Sequence, residues 1–548
     1  MRTKSLRRRT LLKAGVYGAG LAALPGLITT PTLAAVLQAR GFTHGVASGE
    51  PDVDSVLLWT RYVADGDTRL RVEIATDTLF TRVVATGEAL AAVERDFTAR
   101  TVMTQLEPGR WYFYRFVAPD GSISPVGRTR TLPTGETARF GLGLMSCSNL
   151  GFGWFNAYAH ACERSDLDLI VHVGDYLYEY PQGSYPDTKE ILPGRVLDPA
   201  GELLSLGDYH LRYASYRADP DLQRLHQFYP VVSQWDDHEL ANDAWRGGAE
   251  NHQPDREGDW EQRKTAALRA YRDWMPVSDD LWKSYQVGNL LTLFKLETRI
   301  SGRDQPLDIA RFLGGRRDVE RALTEFRDGP LADSARSLLG GDQERWLESG
   351  LRASTRAGTR WQVLAQQIIM GEIRVPPSVS RWISADASDL VRRRAQVAEI
   401  SAKLQLPYNL DSWDGYPAAR ARVLRAAQRA ASNLVVLAGD SHNAWGNNLS
   451  IDGKPAGVEF ATHSVTSPGF ESLLRGATPG ELAAALRKAN PSLAFSDTSQ
   501  RGYTSIQFTP DAVTGSFHFL RTIRERSTAM AGEQRMQAMR GVQLLREV

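Results

Sequence analysis

Alternation of apolar and polar positions marks the first third of the chain. SVLLWTRY (Ser55 to Tyr62), RLRVEIATD (Arg69 to Asp77) and RWYFYRFVA (Arg110 to Ala118) are short runs of that kind, separated by Asp65-Gly66, Pro108-Gly109 and Asp120-Gly121. Strands of that length between turn dipeptides predict a small all-β sandwich of immunoglobulin or fibronectin type over residues 41–135. TLPTGET (Thr131 to Thr137) then reads as a linker.

From Arg139 the pattern changes to apolar runs separated by helical stretches, which predicts an α/β domain over residues 138–523. Helices are expected at Trp154 to Ser165, at Arg256 to Trp274, where Pro276 stops the run, and at Gly341 to Arg356. Trp361 to Met370 reads as a strand, and Tyr503 to Phe508 with Ser516 to Ile523 as a hairpin about the turn Asp511 to Gly515. The polar residues 524–548 read as a helical tail. Pro181 to Leu206 and Arg374 to Trp413 read as long loops, of the kind that form lids or pocket walls.

Four of the apolar runs share one grammar: FGLGLMSCSN (Phe140 to Asn149), DLIVHVGDYLYEY (Asp168 to Tyr180), YPVVSQWDDHE (Tyr229 to Glu239) and NLVVLAGDSHN (Asn433 to Asn443). Each is a buried strand that ends in groups able to bind metal, and sites in open α/β sheets collect at such ends. Together they deliver Cys147, Asp175 with Tyr178, Asp236 with Asp237 and His238, and Asp440 with His442. That set predicts one polynuclear metal site.

Composition sharpens the picture in three ways. A chain of 548 residues with 42% apolar content can bury a large core in about two to four domains. A net charge of +1, with no long basic run after residue 13, gives nucleic-acid binding no electrostatic support. Two cysteines cannot staple a protein of this size; Cys147 and Cys162 are either bridged to one another or two buried thiols.

The basic cluster stands at the start. Arg7, Arg8, Arg9 and Lys13 precede the weakly apolar run Ala14 to Thr29, which predicts a twin-arginine export signal over residues 1–35 with cleavage near Thr32 to Ala35. The run is about 16 residues against the roughly 20 of a membrane-spanning helix, and Pro25 interrupts it. That export route carries folded proteins, so a cofactor can be inserted beforehand.

Carboxylates can bridge two metals, a phenolate and a thiolate favour a strongly Lewis-acidic ion, and an oxygen-rich neighbour favours a hard divalent one. Two metals about 3.5–4 Å apart suit phosphoryl transfer to water, and the set lacks the short Cys/His spacing of a structural zinc site. Each residue also has a plainer explanation. Asp175 and Asp440 follow glycines as turn aspartates do, Tyr178 could be packing, and His172 lies between valines as a core histidine. His44, His463 and His518 have no ligand partner nearby in sequence. One of Asp236 and Asp237 must point away from the metals, since neighbouring strand residues face opposite sides.

FTHGVASGEP (Phe42 to Pro51), GDYLYEY, WDDHE, YRDWMP (Tyr271 to Pro276), SWDGYPAAR (Ser412 to Arg420), GDSHNAW (Gly439 to Trp445) and SVTSPG (Ser464 to Gly469) occur in that order along the chain. Through them the chain resembles the PhoD-type alkaline phosphatases and phosphodiesterases of the calcineurin-like metallophosphoesterase fold. The resemblance implies a metallophosphoesterase β-sandwich flanked by helices behind the small all-β domain. It implies Fe(3+) held by Cys147, Tyr178 and His442, with Asp175 bridging to a Ca(2+) site served by Asp237 and Asp440. His238 falls where a histidine contacts the phosphate or its leaving group, and Asn149, Asp236, Gln367 and Arg299 fall at the pocket wall or outer metal shell. Glu297, in LETR, departs from an expected aspartate and puts the role of Arg299 in doubt. The implied reaction is direct attack of a metal-held hydroxide on a small phosphate ester by a monomeric, exported enzyme. Two alternatives stand beside it: a phospholipase D-like phosphodiesterase with an apolar rim at Trp382 or at Phe470 with Leu473 and Leu474, and a non-catalytic exported calcium-binding module.

Overall fold

The computed structural model describes residues 39–383 and 389–548. The export signal expected over residues 1–35 lies outside the described residues. The N-terminal region contributes strands β1 (Gly41–Gly49), β2 (Val56–Val63), β3 (Thr68–Ala75), β4 (Val83–Ala91), β5 (Thr98–Met103), β6 (Trp111–Val117) and β7 (Gly127–Arg130). There follow β8 (Phe140–Met145), β9 (Leu169–His172), β10 (Pro230–Ser233), β11 (Lys283–Val287), β12 (Leu291–Lys295), β13 (Trp361–Ala365) and β14 (Leu434–Ala438). The chain closes with β15 (Ala444–Ile451), β16 (Lys454–Ala461), β17 (Leu493–Asp497), β18 (Arg501–Phe508), β19 (Ala512–Leu520), β20 (Met530–Met539) and β21 (Arg546–Glu547).

Two large mixed sheets face one another. One runs β21-β20-β19-β18-β8-β9-β10-β1-β2-β5 and the other β11-β12-β13-β14-β16-β15-β17. Side-chain parity builds the layer between them. Phe140, Leu142 and Leu144 of β8 and Val171 of β9 meet Val363 of β13 and Val435 and Leu437 of β14. The opposite parity of each sheet faces helices: Met145 and Ile170 lie under Asn156–Glu163, Leu206–Arg217 and Trp260–Trp274, while Leu434 and Val436 lie under Gly341–Arg356 and Pro417–Arg429. Strands covered on both faces must be apolar throughout, which is why the four motif strands read as continuous runs. Among the described residues no helix is long and apolar enough to cross a membrane.

Several expectations change. The tail 524–548 is not helical: β20 pairs antiparallel with β19, placing Ala512 opposite Met539, and alternate residues Met536 and Ala538 are buried. A two-residue period hidden in QRMQAM decides this against its helix-forming composition. The stretch Arg374 to Trp413 is not an open loop, because it contains the helix Asp389–Lys403. The helix expected from Arg256 breaks at Gly258, whose φ is +86°, and resumes as Trp260–Trp274. Cys147 and Cys162 are both buried and not bridged.

The all-β region is also more than a separate sandwich. β3, β4, β6 and β7 form their own sheet, but β1 lies parallel to β10, with Ser48 opposite Pro230, so β1, β2 and β5 extend the ten-stranded sheet. Gly49 lets the chain pass this junction; a Cβ there would stand 2.1 Å from Pro276 O. Next to it, Glu50 is buried and accepts hydrogen bonds from Lys295 Nζ at 3.0 Å and Lys283 Nζ at 3.1 Å. It ties β1 to β11 and β12 of the other sheet.

Burial favours the protonated form of Glu50, but the two lysines outweigh it and hold the carboxyl at about 2 against an ordinary 4.5. A depressed acid stabilises the fold above its unfolded pKa and loses that contribution as pH falls through the folded value. We expect Glu50→Gln to lower stability by about 3 kcal/mol at pH 7, because it leaves buried Lys295 uncompensated, and to lose less than wild type between pH 4.5 and 2. Urea unfolding of both proteins across that range checks it; parallel curves would remove Glu50 from this role.

Candidate active site

The candidate ligands stand on loops that follow β8, β9, β10 and β14, where the two sheets meet. Four of them have left-handed backbones: Cys147 at φ 59°, Asp175 at 53°, Asp440 at 60° and His442 at 62°. Each such residue costs of order 1–3 kcal/mol and persists only where its surroundings fix it. The fixing contacts are visible. Cys147 N donates to Gly174 O and Ser148 N to Asp175 O, which locks the first two loops together. Glu239, fully buried, accepts from Asp175 N at 3.1 Å, Tyr176 N at 2.6 Å and Asp236 N at 2.8 Å, joining the second loop to the third. Gly174, at φ +99°, has no room for a Cβ, which would meet Asp236 Cβ at 2.3 Å.

Three groups of donor atoms result, each within 4.8 Å of one another: Cys147, Asp175 and His442; Asp175, Asp237 and His238; Asp236, Asp237 and Asp440. Asp175 belongs to two groups and Asp237 to two, which is the overlap a polynuclear centre needs. Tyr178 OH joins the first, 3.0 Å from Asp175 Oδ2 and 3.2 Å from His442 Nε2, and accepts from Ser467 Oγ at 2.7 Å. Asp175 Oδ1, Asp236 Oδ2 and Asp237 Oδ1 are buried and accept no hydrogen bond. Buried carboxylate oxygens without donors are costly, and a cation is the partner that removes the cost. The soft sulfur, phenol and imidazole on one side and carboxylates on the other fit metals of two kinds.

Electrostatics point the same way. Burial, reinforced by the charge of Asp175, pushes the Cys147 thiol and the Tyr178 phenol well up. Burial raises Asp440 to about 7 against the pull of Arg299. Asp237 is the exception: burial would raise it too, but Arg299 and His238 prevail and hold it at about 2. A bound cation inverts this logic for every donor it touches. His238 is raised despite burial by the charges of Asp237 and Glu179, and its Nδ1 lies 2.7 Å from Glu179 Oε2. The other ring nitrogen is left for the cavity that His238 lines.

That cavity holds about 210 Å³. Asp175, Asp237, His238, Asp440 and His442 line one side; Ile369, Ile373, Trp445 and Phe470 line the other. Asp237 faces it, whereas Asp236 turns back to bond Arg299 Nε, which separates the two neighbours.

Arg299, Gln367 and Asn149 lie off the cavity lining, and of the two places expected for it Arg299 takes the outer metal shell. Arg299 does not reach the cavity. It is fully buried behind it, donating to Asp236, to Asp411 Oδ2 at 2.5 Å and to Asp440 Oδ1 at 3.0 Å. Gln367 is a strap, accepting from Thr298 Oγ1 and donating to Trp235 O, both at 2.7 Å. Asn149 accepts from Gly151 N and donates to Tyr185 O, so it shapes a loop. Glu297, found where an aspartate was expected, accepts hydrogen bonds from the backbone of Arg299, Ile300 and Ser301 and so folds the turn that presents Arg299. Sequence reasoning missed Glu179 and Glu239. Each directly follows a candidate donor, Tyr178 and His238, and that adjacency is the signal available in the sequence.

The chain is similar to known proteins over most of its length. Residues 142–517 match the family PhoD-like phosphatase, and residues 29–133 match the PhoD-like phosphatase N-terminal domain. Alkaline phosphatase D of Bacillus subtilis (strain 168) is 31% identical over 520 residues, covering 89% of this chain and 79% of the relative. A solved structure described as the structure of PhoD superposes with a TM-score of 0.74 at 28% identity, over 93% of this chain and 92% of that one.

The pairing of His238 with Glu179 can be checked directly. Glu179 favours the imidazolium, so Glu179→Gln should lower the His238 pKa, and turnover should fall by roughly 10²-fold if His238 works as an acid. An NMR titration of the His238 ring reads the first effect, and an unmoved titration would separate Glu179 from His238.

Proposed function

This chain belongs to the PhoD-like phosphatase family and hydrolyses phosphate esters; from that premise we propose an exported enzyme with two kinds of metal and a proton-donating histidine. The observation that carries the metals is the set of buried carboxylate oxygens on Asp175, Asp236 and Asp237 that accept no hydrogen bond. Cys147, Tyr178 and His442, with Asp175, would hold Fe(3+), since thiolate and phenolate suit a strongly Lewis-acidic ion. Asp237 and Asp440, with Asp175 shared, would hold Ca(2+), which prefers oxygen donors. When bound, the metals supply Lewis acidity, lowering the pKa of water to about 7 and neutralising charge on the phosphoryl oxygens.

The chain's own residues do the rest. His238 keeps its proton on the cavity side, because Glu179 engages Nδ1, and gives it to the departing alkoxide oxygen. Arg299 orients Asp440 from behind, and its Nη2 lies 3.4 Å from Asp237 Oδ1. Ser467 orients the Tyr178 hydroxyl. Ile369, Ile373 and Trp445 shed water from the facing wall, which strengthens every charge interaction across the cavity. No covalent enzyme intermediate is needed. The paired arginines Arg8 and Arg9 support the twin-arginine route to the periplasm or cell envelope.

A second reading, a phospholipase D-like diesterase, is favoured by one feature. Leu473 is 67% exposed and follows Phe470, which lines the cavity, by three residues, so a lipid tail leaving the cavity past Phe470 would meet it.

Side-by-side hydrolysis of a chromogenic phosphate monoester and the matching diester, before and after calcium chelation, tests the function. We expect activity that chelation abolishes and calcium restores; turnover of neither ester by folded, metal-loaded protein would overturn it. Tyr178→Phe should lose both iron and any tyrosinate colour, so a variant that keeps both excludes Tyr178 as a ligand. Replacing Arg8 and Arg9 by lysine should retain the precursor in the cytoplasm, and normal export of that variant, read by cell fractionation, would argue against the twin-arginine route.

A further inference from the structure

A cleft of about 1210 Å³ adjoins the catalytic cavity, and Asp243, Tyr408, Asn409 and Asp411 line both. Asp243 and Asp411 each stand one hydrogen bond from the buried charges of the site. Asp243 N donates to Asp237 Oδ2 at 2.7 Å, and Asp411 Oδ2 accepts from Arg299 Nη1 at 2.5 Å. The far wall is the insertion that carries the helices Ile309–Leu313 and Val319–Phe326, where Phe312 and Phe326 pack edge to face at 5.2 Å.

Charge in this cleft is one-sided. Six carboxylates line it against two guanidinium groups, those of Arg311 and Arg336. Two of the six have ion partners that stand outside the lining: Asp304 with Arg246, and Asp411 with Arg299 and Arg303. Leaving aside Asp243, whose carboxyl burial pushes well up, Glu250, Asp308 and Asp333 remain against the two arginines. An ester seated over His238 whose alcohol outgrows the cavity of about 210 Å³ meets this cleft next, across the shared residues Asp243, Tyr408, Asn409 and Asp411.

We propose that the cleft is the leaving-group subsite, and that its surplus negative charge selects alcohols carrying a positive charge or none over alcohols carrying a carboxylate or a further phosphate. The assignment rests on the site being the phosphoesterase site described above. A low-dielectric wall with one sign of charge raises the local concentration of the opposite sign, and salt screens the effect over about 10 Å at 0.1 M. The apolar floor leaves room for a carbon skeleton behind the charge.

The test measures phosphate release from three small monoesters by the metal-loaded full chain: phosphoethanolamine, glycerol 3-phosphate and 3-phosphoglycerate. At low salt kcat/KM should fall in that order by about three- to tenfold per step. The steps should shrink near 1 M salt and in the double variant Glu250→Gln, Asp333→Asn, each protein being read against its own p-nitrophenyl phosphate rate. Equal kcat/KM for the three esters, or an order that survives both salt and charge removal, overturns the subsite while p-nitrophenyl phosphate is still hydrolysed. Failure on all four monoesters would instead take down the monoesterase reading, and the subsite with it. Because the salt series uses wild type alone, misfolding of the variant does not blur the result.

Discussion

Asp236, Asp237, Asp411 and Asp440 converge on the guanidinium of Arg299, which has no exposed surface. Gathering that many carboxylates away from water is unfavourable twice, through desolvation and through mutual repulsion, and Arg299, with Arg303 on Asp411 alone, cannot offset four. Burial and like charge accordingly raise Asp236 and Asp440. The arrangement makes sense as a framework with a deficit of positive charge that bound cations fill. Arg299 also works across the fold. It follows β12 of one sheet and grips Asp236, which follows β10 of the other, so the clamp closes the two sheets at the end where the donors emerge.

The strained backbone of Asp175 and the loop that carries His238 depend on a second set of buried acids. Glu239 caps the N–H groups of two loops, and Glu179 caps Asn242 N while it holds His238. A carboxylate that accepts several backbone bonds can hold a loop in a conformation it would not choose alone. Because such acids alternate in sequence with the candidate donors, orientation and coordination are carried by neighbouring residues. Metal binding and folding should therefore be coupled, as in other sites that collect like charges before the ion arrives.

Much of this is legible in the chain. The four apolar strands ending in Cys147, Asp175, Asp237 and Asp440 are readable because burial on both faces forces continuous hydrophobicity, and the glycine before Asp175 and before Asp440 marks the turn. The roles of Glu179 and Glu239 are not, since a glutamate in a polar loop looks solvent-exposed until tertiary structure removes the water. For Arg299 and Gln367 the sequence leaves the pocket wall and the outer shell as alternatives, because the direction of a side chain after a strand end depends on loop conformation. The strand β20 and the helix Asp389–Lys403 escape a sequence reading for a common reason. In short amphipathic segments the periods of helix and strand differ by less than two residues, and packing partners far along the chain decide between them.

The pairing of β1 with β10 has a consequence for the N-terminal region. It supplies none of the candidate donors, yet β1 lies beside β10, a strand of only four residues whose end carries Asp236, Asp237 and His238. Without β1 this strand would have β9 alone as a neighbour and would become a sheet edge, with half its hydrogen-bonding groups unpaired. A four-residue edge strand fixes register weakly, and a slip of one residue would exchange the directions of Asp236 and Asp237. One of these must face the cavity while the other bonds Arg299. The N-terminal region thus acts on the site through register, and Gly49 and Glu50 belong to the catalytic machinery's support although both lie far from it in sequence.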